Sequence, residues 1–354
     1  MRPINFDNRL NPYIDIVILN HNGRKFLDDC LRSVLNSTYE NKKVYLLDNA
    51  STEDDVAYVR KNYPQVNIIQ NPNNNGYCAA YNLAFRHCDS PYIICLNNDL
   101  EVHPGWLEPL ILKAEQQSDL GALQPKLLNY FDHSKFEYAG AAGGKMDKYG
   151  YPFLRGRIFH ILEVDNGQYN HEEELFWASG AALMLRRSAL KEVGEFDELI
   201  VHHFDEIDLC WRLILGNYRI GYAPDAEVYH IGGASISPNS YKKVYWNHRN
   251  SLYMLLKNYE FQSILSRVSV HVLLDWILMI RFLLGGQLKL VIALMHAHTW
   301  LLANSLKIIA QRKQVQKIRK RTDKEIDPFL YQGSIVKQFF LHKKDTYTAL
   351  IEAL

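Results

Sequence analysis

Four segments of this chain place amides and carboxylates directly after runs of aliphatic and β-branched residues. Asn20-His21-Asn22 follows Ile14 to Leu19, and Asp48-Asn49-Ala50-Ser51 follows Val44 to Leu47. Asn71 to Gly76 follows Val66 to Ile69, and Asn97-Asn98-Asp99 follows Tyr92 to Leu96. Oxygen ligands of this kind can hold a hard cation. Asn, Asp and Gly also form turns after strands, so each segment alone is a weak signal, but four in succession aim polar groups at one edge. Further along lie Trp177-Ala178-Ser179-Gly180, the acidic pair Asp205-Glu206, and His230 after the run Ala226 to Tyr229. A carboxylate pair can take the proton of an attacking hydroxyl, although acids in a first helical turn are also favoured by the helix dipole. A lone histidine is ordinarily structural, and joined to a carboxylate it can complete a metal shell.

The elements that must position these groups follow from periodicity. Strand-like runs alternate with helix-length segments at about 24 to 37, 53 to 62 and 77 to 87. Apolar runs this continuous predict parallel strands covered on both faces, with ligands at their carboxyl ends. The portion from about 120 to 240 is less regular and rich in Gly and aromatic residues. Within it, Asp205 to Leu215 reads as a short helix stopped by Gly216, with Asp208 and Arg212 on one face. Tyr218 to Tyr222 and Ala226 to Tyr229 read as short strands. Beyond about 244, Tyr245 to Tyr259 is a predicted helix, Val268 to Leu284 and Leu288 to Leu302 are apolar helical stretches, and Arg312 to Lys324 carries seven Lys/Arg.

At 354 residues the chain exceeds one small core, which predicts two units, 1–240 and 241–354. With 47% hydrophobic and 22% charged residues, disordered, collagen-like and coiled-coil classes are excluded. The net charge of +1 hides an asymmetry: residues 1–240 hold 22 Lys+Arg against 32 Asp+Glu, residues 241–354 hold 18 against 7. The basic half is expected to meet an anionic membrane surface. His271, Asp275 and Arg281 interrupt one apolar stretch, His296 and His298 the other, so neither is a clean transmembrane span and these helices are expected to lie on, or dip into, a bilayer surface. A soluble helical bundle or dimerisation unit is the alternative. Five cysteines without a CxxC pair favour a reducing compartment, and the N-terminal MRPINFDNRLNPY has no apolar region of a signal peptide.

The order of the motifs, together with Asn75-Gly76-Tyr77 through Asn82 and Gly194 to Asp197, resembles the family 2 glycosyltransferases of the GT-A fold over about residues 13 to 235. Within them it is similar to the rhamnosyltransferase-like branch that builds bacterial surface polysaccharides. The resemblance implies an α/β, Rossmann-like, mostly parallel central sheet with helices on both faces, followed by a C-terminal α-helical region. It also implies a nucleotide-diphospho-sugar donor, Mn²⁺ or Mg²⁺, and transfer with inversion. Asp48 corresponds to the aspartate that accepts a ring N–H from uracil or thymine, which favours a UDP- or dTDP-sugar. Asn97-Asn98-Asp99 stands where the family has DxD, one formal negative charge short, with Asp99 the direct ligand and Asn97 a metal or ribose contact. His230 completes the metal shell.

By the same resemblance Glu206 is the catalytic base, with Asp205 in support or in its place. Asn20, Asn49, Gly76, Asn82 and Asn98 fall on the donor side, and Trp177, Gly180, His203 and Asp208 on the acceptor side. The implied acceptor is a lipid-linked or growing polysaccharide at the cytoplasmic membrane face; a homodimer is compatible and no nucleic acid is expected. Rhamnose is a family-level assignment only, and the linkage is open. Two other readings are a non-catalytic sugar-nucleotide scaffold, favoured only by Asn97, and a nucleotidyltransferase, of whose basic Gly-rich loop Asn22-Gly23-Arg24-Lys25 is a faint echo. Removal of residues from about 263 is expected to abolish liposome binding and leave donor hydrolysis partly intact.

Overall fold

A computed structural model describes residues 11–232 and 240–351; most of the N-terminal segment read for a signal peptide lies outside them. The four apolar runs become parallel strands β1 (Ile14–Asn20), β2 (Lys42–Asn49), β3 (Asn67–Asn71) and β4 (Tyr92–Asn97). Successive strand side chains point to opposite faces. Ile16 and Ile18 accordingly join one apolar cluster with Leu46 and Ile94, while Val17 joins another with Leu47 and Cys95. Both faces are therefore dry, which is why the sequence shows continuous rather than alternating apolar runs. Between the strands run α1 (Arg24–Leu35), α2 (Asp55–Asn62) and α3 (Tyr77–Phe85). Register places Asn20 opposite Asp48 and Asn49 opposite Asn71, so the polar strand ends form one row.

The second half is built from β5 (Leu100–Val102), α4 (Leu107–Gln116) and β6 (Leu120–Asn129), followed by a four-stranded antiparallel sheet. That small sheet comprises β7 (Gly144–Met146), β8 (Pro152–Leu154), β9 (Arg157–Ile158) and β10 (Ile161–Leu162). Then come β11 (Ala182–Arg186), α5 (Arg187–Val193), α6 (Asp205–Leu215) and β12 (Arg219–His230). The main sheet has the order β3-β2-β1-β4-β11-β6-β12-β5. Its inserted strand β11 runs antiparallel to both β4 and β6. The two short strands expected between Tyr218 and Tyr229 are one strand, with a register shift between Ala223 and Glu227.

The C-terminal region begins with helices α7 (Tyr241–Asn258), α8 (Phe261–Ser263), α9 (Ser269–Leu284), α10 (Leu288–Ala303) and α11 (Ser305–Ile318), and ends in three short ones, α12 (Asp323–Ile326), α13 (Ile335–Phe340) and α14 (Tyr347–Ile351). A π turn over Ile264–Val268 joins α8 to α9, giving one 24-residue helix, Phe261–Leu284, long and apolar enough to cross a membrane. One face of it is occupied by protein: His271 and Asp275, two of the three residues that interrupt its apolar run, point inward and are buried, whereas Arg281 is exposed. Leu273, Trp276, Ile277, Ile280 and Leu284 face out, Leu284 at 85% exposure.

One apolar cluster crosses residue 240. It joins Trp211 and Leu213 to Leu252, Tyr253, Val268, Leu301, Ile308 and Val315. Buried ions cross it too. Lys257 Nζ lies 2.9 Å from Asp208 Oδ1 and 2.5 Å from Asp197 Oδ2, and Arg212 Nε lies 3.0 Å from Asp208 Oδ2. Val268, Leu301, Ile308 and Val315 lie beyond residue 263, so removal of the tail from there would uncover part of this core.

Candidate active site

The strand after β4 explains how two residues far apart in sequence meet. β12 pairs antiparallel with β5 so that His230 faces Leu100, and the backbone N–H of Ile231 donates to the carbonyl of Asp99. His230 Nε2 then lies 3.1 Å from Asp99 Oδ1. On the other side of the ring, Glu137 brings a carboxylate oxygen to 3.0 Å from His230 Nδ1. Glu137 sits on the return of the chain alongside β6, its N–H donating to the Leu127 carbonyl. Its second oxygen accepts from the N–H groups of Ala139 and Gly140. All three side chains are buried. Burial opposes a charge on His230, but the two carboxylates outweigh it and hold the ring's pKa up at about 10.

This donor set suits a hard-to-borderline divalent cation in place of that proton. Nε2 and a carboxylate oxygen face a common point, and a second carboxylate on the far nitrogen is the arrangement that orients metal-binding imidazoles. Asn97 and Asn98 line the same space. The Asn98 amide N–H donates to Asn20 Oδ1 at 2.7 Å, and Asn20 in turn donates to Asp55 Oδ2 at 2.8 Å. Gly23 is required beside this chain, since a Cβ there would lie 1.9 Å from Asn98 Nδ2.

The acidic pair opens α6 after an unusual turn. His203 (φ 62°) and Phe204 (φ 68°) are consecutive non-Gly residues in the left-handed region, a conformation that persists only where surroundings enforce it. The enforcement comes from α7. Asn250 Nδ2 donates to the carbonyls of His202 at 2.5 Å and His203 at 3.0 Å, and Arg249 Nη2 donates to the Leu199 carbonyl at 2.5 Å. Asp205 is buried, and burial followed by its Glu206 neighbour pushes its carboxyl well above the ordinary range. Burial raises Glu206 as well. Burial, with Lys243 and His202, holds His203 down at about 4, and its Nε2 is buried without a hydrogen-bond partner among the described residues.

One cleft of about 590 Å³ collects Asn97, Asn98, Asp99, Gly180, His203, Asp205, Glu206 and His230, all predicted from sequence. Asn20 stands behind it as a support. Asp48 is buried at the end of β2, one carboxylate oxygen accepting from Ser51 N–H and the other without a partner among the described residues. Asn49 belongs to an amide ladder with Asn71 and Asn74. Gly76 (φ 93°) opens α3 against Val201 and serves the backbone turn.

Three predicted residues point elsewhere. Asn82 clamps the backbone N–H and carbonyl of Phe196, so it holds the Gly194 to Asp197 turn and not a donor. Trp177 is a core residue against Gly144, its indole N–H given to the Lys145 carbonyl. Asp208 has no exposed surface and is taken up by Arg212, Lys257 and Asn258. Two helical steps rotate a side chain by about 200°, so Asp208 turns its back on the space that Glu206 faces.

Sequence reasoning missed Glu137, which lies in an irregular segment without pattern. It also missed the cleft-lining His21, Lys25 and Tyr77, whose hydroxyl donates to the Gly180 carbonyl at 2.9 Å. Arg249-Asn250-Ser251 carried a signal, being a polar run in a helix that continues Leu252-Tyr253-Met254-Leu255. A larger cavity of about 860 Å³ lies between the Gly194 to Leu199 segment and α11. Its Asp197, Lys257 and Arg212 are already paired with neighbours, so the chemistry belongs to the smaller cleft.

Comparison with known proteins bears on the fold and the family. The N-acetylglucosaminyl-diphospho-decaprenol L-rhamnosyltransferase of Mycobacterium tuberculosis is 27% identical over 232 residues, 61% of this chain and 75% of its own. The O-antigen biosynthesis protein RfbC of Myxococcus xanthus is 26% identical over 64% of this chain and 18% of its own. Among solved structures, GalNAc-T7 with UDP, GalNAc and Mn²⁺ superposes with TM-score 0.57 at 15% identity, over 73% of this chain and half of that one. The Pyrobaculum calidifontis mannosyltransferase PcManGT with GDP-Man and Mn²⁺ gives TM-score 0.50 at 12% identity, over 87% of this chain and 86% of that one. These likenesses establish the GT-A fold. The family description "Glycosyl transferase family 2" matches residues 15–194, just over half of the chain, and with the fold and cleft above it makes this chain a glycosyltransferase belonging to family 2.

Proposed function

We propose that the enzyme transfers a sugar with inversion from a UDP- or dTDP-sugar to a hydroxyl of a lipid-linked or growing polysaccharide, at the cytoplasmic face of a membrane. The observation that carries this reading is the single cleft lined by Asp99 and His230, with Glu137 behind the ring, and by the Asp205–Glu206 pair. Asp99 and His230, with the Asn97 amide, are the residues that would hold Mn²⁺ or Mg²⁺. When bound, such an ion neutralises charge gathering on a departing nucleoside diphosphate.

The protein's own groups then divide the work. Glu137, 3.0 Å from His230 Nδ1, would hold the proton there when a cation displaces the one on Nε2. Glu206 takes the acceptor hydroxyl's proton as it attacks, and its raised pKa makes it a better base than a free carboxylate. Asp205, raised further, keeps its own proton and so avoids two adjacent buried charges. His203 is neutral at physiological pH and offers its unpartnered Nε2 to a sugar hydroxyl. The free oxygen of Asp48 accepts the ring N–H of uracil or thymine. The rhamnosyl donor and lipid-linked acceptor draw support from the name of the mycobacterial relative, and the nucleotide sugar and Mn²⁺ from the titles of the solved neighbours.

Residues 1–240 form the donor-binding and catalytic unit in this reading, and 241–354 the membrane-associated one. The outward apolar row of α9, flanked by basic residues in excess of acids beyond 240, suits an anionic bilayer surface against which the helix lies.

The test is turnover of a panel of nucleotide sugars with and without Mn²⁺, on wild type and Glu206→Gln. Metal-dependent transfer that Glu206→Gln loses while still binding donor is the expected result. Wild-type turnover in Glu206→Gln removes the assignment of the base, and tight donor binding with no turnover by the wild type favours a scaffold.

A further inference from the structure

The C-terminal helices hold a second cluster of ligand-type side chains, none of which lines the cleft. Asp275 has no exposed surface although α9 is strongly apolar. His248 Nδ1 from α7 lies 2.7 Å from Asp275 Oδ1, and His298 Nε2 from α10 lies 3.1 Å from Asp275 Oδ2. One turn earlier on α9, His271 places Nε2 at 3.9 Å from Asp275 Oδ1, too far for a hydrogen bond. His248, His271 and Asp275 each offer one ligand atom, and the three atoms lie within 4.8 Å of one another.

His271 is the most informative member. Its Nδ1 lies 2.7 Å from the carbonyl oxygen of Tyr149. A carbonyl only accepts, so Nδ1 carries the proton and a neutral ring presents a lone pair at Nε2. The ring stacks on Tyr151 with centroids 4.5 Å apart, which fixes its plane. Ser251 Oγ is 3.2 Å from Nε2 but equally 3.2 Å from the His248 carbonyl, and its one proton cannot serve both. An imidazole lone pair and a carboxylate oxygen, two acceptors, thus face each other across a buried gap. A carbonyl-anchored imidazole is the way proteins orient a histidine toward a metal.

We propose that His248 Nδ1, His271 Nε2, Asp275 and His298 Nε2 form a structural zinc site that fastens α7, α9 and α10 together. Three nitrogens and one carboxylate suit tetrahedral Zn²⁺ better than Mg²⁺ or Mn²⁺. Zinc–ligand bonds of about 2.0 to 2.2 Å put neighbouring ligand atoms roughly 3.3 Å apart; His248, His271 and Asp275 already lie within 4.8 Å of one another, and His298, held on the other carboxylate oxygen, has to swing in to complete the shell. Four side-chain ligands leave no open position, which makes the role one of bracing.

The experiment uses the full chain in lipid or mild detergent, in an Asp99→Ala background that disables the cleft's cation site. Chelator-stripped protein is titrated with ZnCl₂ and with CoCl₂, and read by metal stoichiometry, visible absorption and melting temperature. None of these readouts requires turnover, so the result is independent of the proposed activity. One equivalent of Zn²⁺, tetrahedral-type Co²⁺ absorption, and a melting temperature that rises with Zn²⁺ are expected. His248→Gln and His298→Gln, at positions that retain solvent exposure, should each weaken zinc tenfold or more, and His271→Gln should abolish binding. Should the buried His271→Gln fail to fold, the other two variants decide. Absence of zinc binding, or His248→Gln and His298→Gln that bind it as tightly as their parent, overturns the proposal.

Discussion

Replacing Asn250 by alanine tests whether α7 sets the position of the acidic pair 44 to 45 residues before it. The side chain is fully buried and its amide donates to two successive carbonyls, those of His202 and His203. Each such bond contributes about 1 kcal/mol net. What they oppose is the strain of His203 and Phe204 in the left-handed region, of order 1 to 3 kcal/mol for each residue. Removing both bonds tilts the turn toward a relaxed conformer by about 2 kcal/mol. At 1.36 kcal/mol per tenfold, the ratio of molecules with Glu206 in place to those without falls about 30-fold, and kcat falls by up to that factor. The donor contacts at the ends of β1, β2 and β4 are untouched, so the donor Kd by calorimetry should move less than twofold. Asn250→Asp, which keeps the shape but loses the donor, should lose at least as much. An Asn250→Ala protein with native circular dichroism and unchanged kcat, or a loss confined to donor KM, refutes the account of the turn.

Burial raises the Glu206 pKa, and a base works only when ionised, so kcat/KM should be lost as pH falls through a value above the usual glutamate range near ~4.3; a pH profile at saturating Mn²⁺ reads it, and an acid limb at or below that range contradicts it. Glu137→Gln leaves the cleft lining intact but withdraws the carboxylate behind His230, so the Mn²⁺ concentration for half-activity should rise about 10- to 100-fold. Lys257→Met leaves the buried Asp197 without a cation and Asp208 with Arg212 alone and should cost about 3 to 5 kcal/mol in denaturant unfolding; a loss under ~1 kcal/mol would show that Asp197 is better hydrated than its burial implies. Trp276→Glu with Ile280→Glu alters only the outward face of α9 and should sharply reduce co-sedimentation with anionic liposomes while leaving donor hydrolysis within twofold.

The portion of the site legible in sequence is the portion that sits on strand ends. Asn97-Asn98-Asp99 and His230 were found because a sheet edge imposes an order on its polar residues, and Asp205 to Leu215 because Gly216 marks its end. Facing was less accessible. Asp208, Asn82 and Trp177 occur in the right order but turn into the core, and order says nothing of which side of an element meets the cleft. Glu137 depends on the chain folding back beside β6, and the insertion of β11 between β4 and β6 on a pairing 61 to 63 residues distant; neither leaves a local pattern. The charge asymmetry at 240 suggested a seam, yet the contacts of Lys257 and Asn250 arise from packing that a charge count does not sense.

Those same contacts bear on how such enzymes can be recombined. A hybrid joined near residue 240 would marry one parent's strained turn and buried Asp208 to another parent's bracing helix, and any mismatch would fall on the base itself. A graft that carries Tyr241–Asn258 along with the donor-binding part and changes parent only afterwards keeps every one of those pairs within a single ancestry.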